Sequence, residues 1–76
     1  MEVRRRLGLN VRRLREARGL SQERFGFESG MDRTYVSGIE RGVRNPTILI
    51  VERIATALGV SASSLLAEPE KRSRKS

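Results

Sequence analysis

The sequence predicts an all-α fold, a compact five-helix domain that contains a helix-turn-helix, and three observations predict it. Apolar residues recur every three or four positions along residues 3–66, which is the spacing of one helical face. Four of the five apolar runs begin directly after Ser, Thr or Asp, the residues that cap helix N-termini. The 76 residues suffice for one small core, and they show no strand-like alternation.

The first two predicted helices cover residues 3–18 and residues 22–28. Ser21 is the expected N-cap of the second helix, and Phe25 is its expected core residue. Gly26 lies inside this helix at a cost of ~1 kcal/mol relative to alanine, which indicates that another element packs closely there. The apolar face of the first helix consists of Val3, Leu7, Val11 and Leu14.

The third predicted helix covers residues 33–41 behind the N-cap Asp32. Val36 and Ile39 lie on its buried side. A turn at residues 29–31 separates it from the second helix, so the two helices form a helix-turn-helix. In this motif the second of the two helices enters the major groove of DNA.

The fourth predicted helix covers residues 48–58 behind Thr47, and a short fifth helix follows Ser61. The folded domain is expected to cover residues 1–67, and residues 68–76 are expected to form a basic, disordered tail. The side chains expected to be buried here are Val51, Ile54, Ala55, Leu58, Leu65 and Leu66.

The composition excludes several classes of function. The chain has no cysteine and no histidine, so it offers no disulfide, no thiolate or imidazole metal ligand, and no imidazole for acid–base catalysis. An enzyme that uses only carboxylates remains formally possible, but so short a chain has little room for the pocket that it would need. We therefore expect no enzyme activity, no cofactor, no metal and no small-molecule ligand. No apolar run is long enough to span a membrane, and we expect a cytoplasmic, nucleoid-associated protein.

The charge of the chain indicates an anionic partner. The net charge is +7, and all but two of the 16 Lys and Arg residues are arginine. Such an excess favours nucleic acid or an anionic membrane surface. Arginine favours phosphates and base edges, because its planar group donates two parallel hydrogen bonds. Charge alone does not choose between these partners.

The exposed face of the third helix carries groups suited to DNA. At about 100° per residue, Thr34, Ser37 and Arg41 share an arc of about 100° with Arg33. A cation at a helix N-terminus is mildly unfavourable, so a bound ligand explains Arg33 better than chance placement does. An arginine there can bond a guanine bidentately. Gly38 lies beside this arc and leaves room for close approach.

Residues outside the third helix are expected to hold the DNA backbone. Gln22 opens the second helix, whose free N–H groups and amide side chain can hold a phosphate. Arg44 and Asn45, in the loop after the third helix, are expected to hold the same backbone. Tyr35 flanks the core and leaves two interpretations open, a DNA contact or a cover for the core edge.

Three segments resemble, in order, the phage-repressor helix-turn-helix family of the Cro/C1 (XRE) type. They are LREARGLSQERF, SGMDRTYVSGIERGVRNPT and ERIATALGVSASSLL, and the resemblance covers roughly residues 7–66. The segment DRTYVSGIERGVRNPT is also similar to the recognition segment of restriction–modification controller proteins. The resemblance implies a five-helix DNA-binding domain, usually dimeric, that represses or activates transcription.

The resemblance also implies roles for particular residues. It implies an ion pair between Arg15 and Glu40, for which Arg18 is a competing partner. Gly38 stands where some relatives carry a long base-reading side chain. The residues at the family's DNA-contacting positions, Tyr35 among them in controller-like members, are Gln22, Arg33, Thr34, Tyr35 and Ser37.

The predicted function is sequence-specific binding of double-stranded DNA by a homodimer, at a palindromic or pseudo-palindromic operator, for transcriptional regulation. An autoregulatory controller of a restriction–modification system is the more specific hypothesis. The alternatives are an antitoxin-type protein that binds DNA and a partner toxin, and a basic, non-specific binder of nucleic acid or of a membrane surface. For Leu49 and Ile50 simple surface exposure is a further alternative. The residues expected at the dimer interface are Leu49, Ile50, Leu65 and Leu66.

Overall fold

The computed structural model describes residues 1–69, which form five α-helices without a strand, so the predicted all-α fold is confirmed. Helix α1 packs against α3 and α5, while α2 packs against α3 and α4 packs against α5. Residues 70–76 of the predicted tail lie outside the described residues. The helices are α1 (Val3–Ala17), α2 (Gln22–Ser29), α3 (Arg33–Glu40), α4 (Ile48–Leu58) and α5 (Ala62–Leu66).

Capping side chains set the helix starts at the predicted positions. Ser21, Asp32, Thr47 and Ser61 each accept a hydrogen bond from a backbone N–H in the first turn of the following helix. Helix α1 is capped by Glu2, a cap not predicted from the sequence. These bonds satisfy donors that a helix start leaves unpaired, so they fix where each helix begins.

Three predicted helix ends are wrong by one residue. Arg18 and Arg41 are C-caps that follow α1 and α3, and not the last residues of those helices. Helix α2 includes Ser29, whose buried hydroxyl donates to the carbonyl oxygen of Phe25 at 2.7 Å. Its C-cap is Gly30, which has a φ of 74°. That left-handed conformation suits glycine and turns the chain toward α3.

The core contains ten buried apolar side chains, and all ten were predicted to be buried. Val3 and Leu66 were also predicted to be buried, but they are 42% and 38% exposed. Each stands at the outer end of its helix, where fewer neighbours cover it. The core residues are Leu7, Val11, Phe25, Val36, Ile39, Val51, Ile54, Ala55, Leu58 and Leu65.

Polar side chains of α1 hold the C-terminal end of α5. The buried Asn10 donates through Nδ2 to the carbonyl oxygens of Leu65 and Ala67, both at 2.8 Å. Arg6 donates through Nε to the carbonyl oxygen of Leu66 at 2.7 Å, and its Nη1 lies 3.6 Å from a Glu68 carboxylate oxygen. Because the last carbonyls of a helix have no partner within it, α1 supplies the donors that α5 needs.

Candidate nucleic-acid interface

The turn between α2 and α3 brings the two helices into backbone contact. A Cβ added at Gly26 would lie 2.6 Å from the carbonyl oxygen of Met31. The backbone N–H of Met31 donates to the carbonyl oxygen of Gly26 at 2.7 Å. The close packing predicted at Gly26 is therefore confirmed, and a larger residue there would push α3 away from α2.

A second backbone contact fixes the other end of α3. A Cβ added at Gly8 of α1 would lie 2.5 Å from the carbonyl oxygen of Ile39 and 2.6 Å from that of Glu40. Val36 and Ile39 are each 1% exposed, so the inner face of α3 is fully packed. Helix α3 is thus held at both ends, and its remaining face is turned outward.

The outward face of α3 carries a cation and hydroxyl groups. Arg33 and Thr34 are exposed, and Ser37 is half-buried. The carboxylate of Asp32 accepts from the backbone N–H of Thr34 at 2.9 Å, which caps the helix. Arg41 donates through Nε to the Ser37 hydroxyl at 3.4 Å, a long bond that a stronger acceptor can replace.

Arg15 and Glu40 form a buried, bidentate ion pair. Arg15 Nε lies 2.6 Å from Glu40 Oε2, and Arg15 Nη2 lies 3.0 Å from Glu40 Oε1. The hydrogen bonds to Glu40 raise the pKa of Arg15 above its ordinary value, although burial acts in the opposite direction. Arg18, the competing candidate, donates instead to the carbonyl oxygen of Ala57 at 3.3 Å.

Gln22 joins this ion pair, a contact that was not predicted from the sequence. Its Nε2 donates to Glu40 Oε1 at 3.0 Å, so the same carboxylate oxygen receives Gln22 and Arg15. An amide nitrogen has two N–H groups, and this contact uses one of them. The bond orients the Gln22 side chain at the start of α2 and ties it to the end of α3.

Arg44 lies across α3 and fills the space beside Gly38. Its Cζ is 5.2 Å from the centroid of the Tyr35 ring, within the range of a cation–π interaction. A Cβ added at Gly38 would lie 2.8 Å from Arg44 Cγ. The space predicted at Gly38 is therefore occupied by Arg44. Tyr35 is half-buried against the core, so its ring covers the core edge and also contacts Arg44.

These contacts order the predicted site residues around α3. On a helical wheel with Arg33 at the origin, Glu40 lies at about 340° and Gly38 at about 140°. Gln22 contacts Glu40 and Arg44 contacts Gly38, so they border the polar arc of Arg33, Thr34 and Ser37 on opposite sides. Residues of α2, α3 and the following loop therefore share one surface, and we refer to it as the α3 surface. The exposed Asn45 follows Arg44 in that loop.

The positive charges of the α3 surface are not neutralised by carboxylates of residues 1–69. The ion pairs among these residues engage the N-terminal amine and arginines of α1 and α2. Arg33, Arg41 and Arg44 have no carboxylate partner in this part of the chain. An unneutralised cluster of guanidinium groups produces a positive potential that attracts an anionic polymer. Among the described residues no helix is long and apolar enough to cross a membrane, and no acidic cluster suited to a metal occurs.

The four residues expected at a dimer interface differ in their exposure to solvent. Leu49 is 80% exposed and Ile50 is half-buried. Leu65 is 0% exposed, so its side chain is part of the core and the expectation of a surface contact is corrected. Leu66 instead lines a shallow cleft of about 150 Å³ together with Val3 and other apolar side chains. Val3 and the 84% exposed Ile48 were not predicted at this surface.

Comparisons with known proteins agree with the helix-turn-helix fold. A helix-turn-helix family model, HTH_3, matches residues 11–65. The chain is 44% identical to the uncharacterised HTH-type transcriptional regulator y4dJ of Sinorhizobium fredii, over 87% of this chain and 86% of that one. It is also similar to the crystal structure of the restriction–modification controller protein C.AhdI from Aeromonas hydrophila. That likeness has a TM-score of 0.78 and 45% identity, and covers 82% of this chain and 94% of that one.

A second similar structure contains DNA. It is the restriction–modification controller protein C.Esp1396I, a tetramer in complex with its natural 35 base-pair operator. It has a TM-score of 0.76 and 35% identity to this chain, and covers 86% of each chain. The resemblance inferred from the sequence is thereby confirmed. The chain belongs to the helix-turn-helix family of Cro/C1-type, DNA-binding transcriptional regulators.

Proposed function

We propose that the protein binds an operator in duplex DNA as a homodimer and acts as an autoregulatory, restriction–modification controller-type regulator. The observation that carries the proposal is the α3 surface, where a polar, positively charged helix face is bordered by Gln22 and Arg44. The similarity to C.AhdI and to the operator-bound C.Esp1396I supports the controller assignment.

In the proposed complex α3 enters the major groove and Arg33 reads a base. Arg33 is the first residue of α3, the part of a recognition helix that meets base edges. Its exposed guanidinium can donate two hydrogen bonds to a guanine. Thr34 and Ser37 lie on the same arc and add hydroxyl groups for bases or phosphates.

Residues at the borders of the α3 surface hold the phosphates on either side. The second amide N–H of Gln22 is available to a phosphate while the first remains bonded to Glu40. Phosphates at the opposite border are bound by Arg44, Asn45 and the Tyr35 hydroxyl. Phosphate contacts of this kind fix register and make affinity depend on salt.

Two subunits are proposed to meet through the exposed apolar side chains of α4 and α5. Leu49 and Ile48 are 80% and 84% exposed, which is unusual for adjacent large apolar residues. Ile50 and Leu66 extend this apolar surface. A two-fold dimer would place two copies of α3 in successive major grooves, about 34 Å apart, on a palindromic operator.

Selection of bound sequences from a random duplex pool tests the DNA proposal. We expect a paired, palindromic motif, and Arg33→Ala should lose about 1–3 kcal/mol of binding free energy at one base position. The control is Arg13→Ala, which removes an equal charge about 160° around α1 from Arg15 and so away from α3. Arg13→Ala should weaken the binding of every sequence slightly and by the same factor. Equal loss on cognate and scrambled DNA in Arg33→Ala would show that Arg33 does not read a base.

Sedimentation at micromolar concentration tests the dimer. We expect Leu49→Glu to shift the protein toward the monomer, because a carboxylate cannot be buried unpaired between subunits. Phe27→Glu is the matched control, since Phe27 is 79% exposed but lies on α2. A wild-type protein that stays monomeric both free and on DNA would contradict the dimer proposal.

A further inference from the structure

We propose that Gly38 is a positioning residue that seats Arg44 on the α3 surface, and that its missing side chain thereby sets DNA affinity. This inference rests on the proposed function, because it concerns how Arg44 is presented to DNA. It adds a role for a residue that has no side chain to contact DNA itself.

The first step is the contact between Gly38 and the stem of Arg44. A Cβ added at Gly38 would lie 2.8 Å from Arg44 Cγ, 3.0 Å from Nε and 3.4 Å from Cδ. Three consecutive parts of one side chain therefore lie against the bare backbone of α3. Even the smallest side chain at position 38 would displace Arg44 from this path.

The second step is the contact at the far end of Arg44. Its guanidinium carbon lies 5.2 Å from the Tyr35 ring centroid. Tyr35 is itself packed against the core, so the ring is a fixed support. Gly38 contacts the side chain of Arg44 from Cγ to Nε, and Tyr35 contacts its guanidinium group. We refer to these two contacts together as the seat of Arg44. A flexible arginine held in one conformation loses less entropy when it binds.

The third step is the cost of glycine at this position. Position 38 lies inside α3, where glycine is less favourable than alanine for helix formation. Gly38 is also not required for a left-handed turn, in contrast to the positive-φ glycines of the chain. The three atoms nearest to an added Cβ all belong to Arg44, and none of them belongs to another helix. The seat for Arg44 is the benefit that offsets the weaker helix.

A double-mutant cycle tests the seat with Gly38→Ala, Arg44→Ala and the double variant, on the duplex selected by the wild-type protein. We expect Gly38→Ala and Arg44→Ala each to weaken binding by about tenfold, and the double variant to be no weaker than Arg44→Ala. The thermal midpoint of Gly38→Ala should equal or exceed that of the wild type, because alanine strengthens the helix. A loss caused merely by a distorted α3 would persist in the Arg44→Ala background.

Nuclear magnetic resonance on the free protein tests the seat without DNA. In the wild type the Arg44 side-chain protons should show an upfield ring-current shift from Tyr35, and Gly38→Ala should abolish it. Additive losses in the cycle, or a wild-type Arg44 without that shift, would overturn the role of Gly38. If no sequence is selected from the pool, the proposed function fails, whereas a selected sequence bound equally by Gly38→Ala overturns only this inference.

Discussion

The buried Arg15–Glu40 pair allows a sharp prediction about stability. The perturbation is a pair of single substitutions, Arg15→Met and Glu40→Leu, together with the double variant. Each single change leaves one charged group without its main partner at a site where the two side chains are 9% and 3% exposed. The double change replaces the pair by apolar side chains of similar size.

The magnitude follows from what each orphaned group retains. After Glu40→Leu, Arg15 keeps its bond to the carbonyl oxygen of Leu20 at 2.7 Å and a Glu16 carboxylate at 3.8 Å. After Arg15→Met, Glu40 keeps only the Gln22 amide as a partner within residues 1–69. Removing one partner of a buried ion pair costs about 3–5 kcal/mol of stability. Because each remaining charged group keeps at least one polar partner, we expect a loss at the lower end of that range, about 3 kcal/mol, for each single variant. The double variant should lie within about 1 kcal/mol of the wild type, since apolar replacement of a buried pair is often nearly neutral.

Urea unfolding followed by circular dichroism measures all four proteins. A domain of this length has a stability of about 4–11 kcal/mol, so each single variant should lose a large share of it. The thermal midpoint of each single variant should fall by about 12–24 °C. If the losses of the two single variants simply add in the double variant, the two residues contribute independently and the reasoning is refuted.

Three further predictions concern other parts of the molecule. Gly8→Ala should destabilise the fold by about 2 kcal/mol in urea unfolding, because its Cβ would meet the Ile39 carbonyl at 2.5 Å; an unchanged midpoint would show that α1 can move away. Asn10→Leu should cost about 2 kcal/mol and speed hydrogen exchange in α5, because two carbonyls lose their donor; unaltered exchange would contradict this clamp. DNA affinity should vary less than about twofold between about pH 6 and about pH 8 at fixed salt, because the chain has no histidine; a steep change in anisotropy titrations would refute it.

The core and the helix starts could be predicted because they depend on local rules. Val36 and Ile39 are three residues apart, so they lie on the same side of α3 however the helix packs. Asp32 and Thr47 cap their helices through bonds that span two or three residues. The ends of α1 and α3 depend on individual backbone hydrogen bonds, and residue type does not reveal those. Leu66 could not be separated from Leu65, because adjacent leucines in a five-residue helix have no periodicity to distinguish them.

The candidate site was predictable only as far as a single helix determines it. The arc of Arg33, Thr34 and Ser37 follows from helix geometry, so it could be identified from the sequence. The bond from Gln22 to Glu40 could not, because it depends on how near the start of α2 lies to the end of α3. The seat of Arg44 likewise depends on how a loop folds back over its helix.

The two glycine contacts that hold α3 have a consequence for the DNA. Gly8 and Gly26 bring backbone against backbone at the two ends of the helix, and backbone does not yield as side chains do. In the proposed complex we therefore expect α3 to move only with the whole domain, and not to rotate or slide against it to follow an imperfect groove. The adjustment falls to the double helix, whose bending and groove width vary with sequence. Base pairs between the half-sites, beyond the reach of any side chain, would then change affinity through their stiffness.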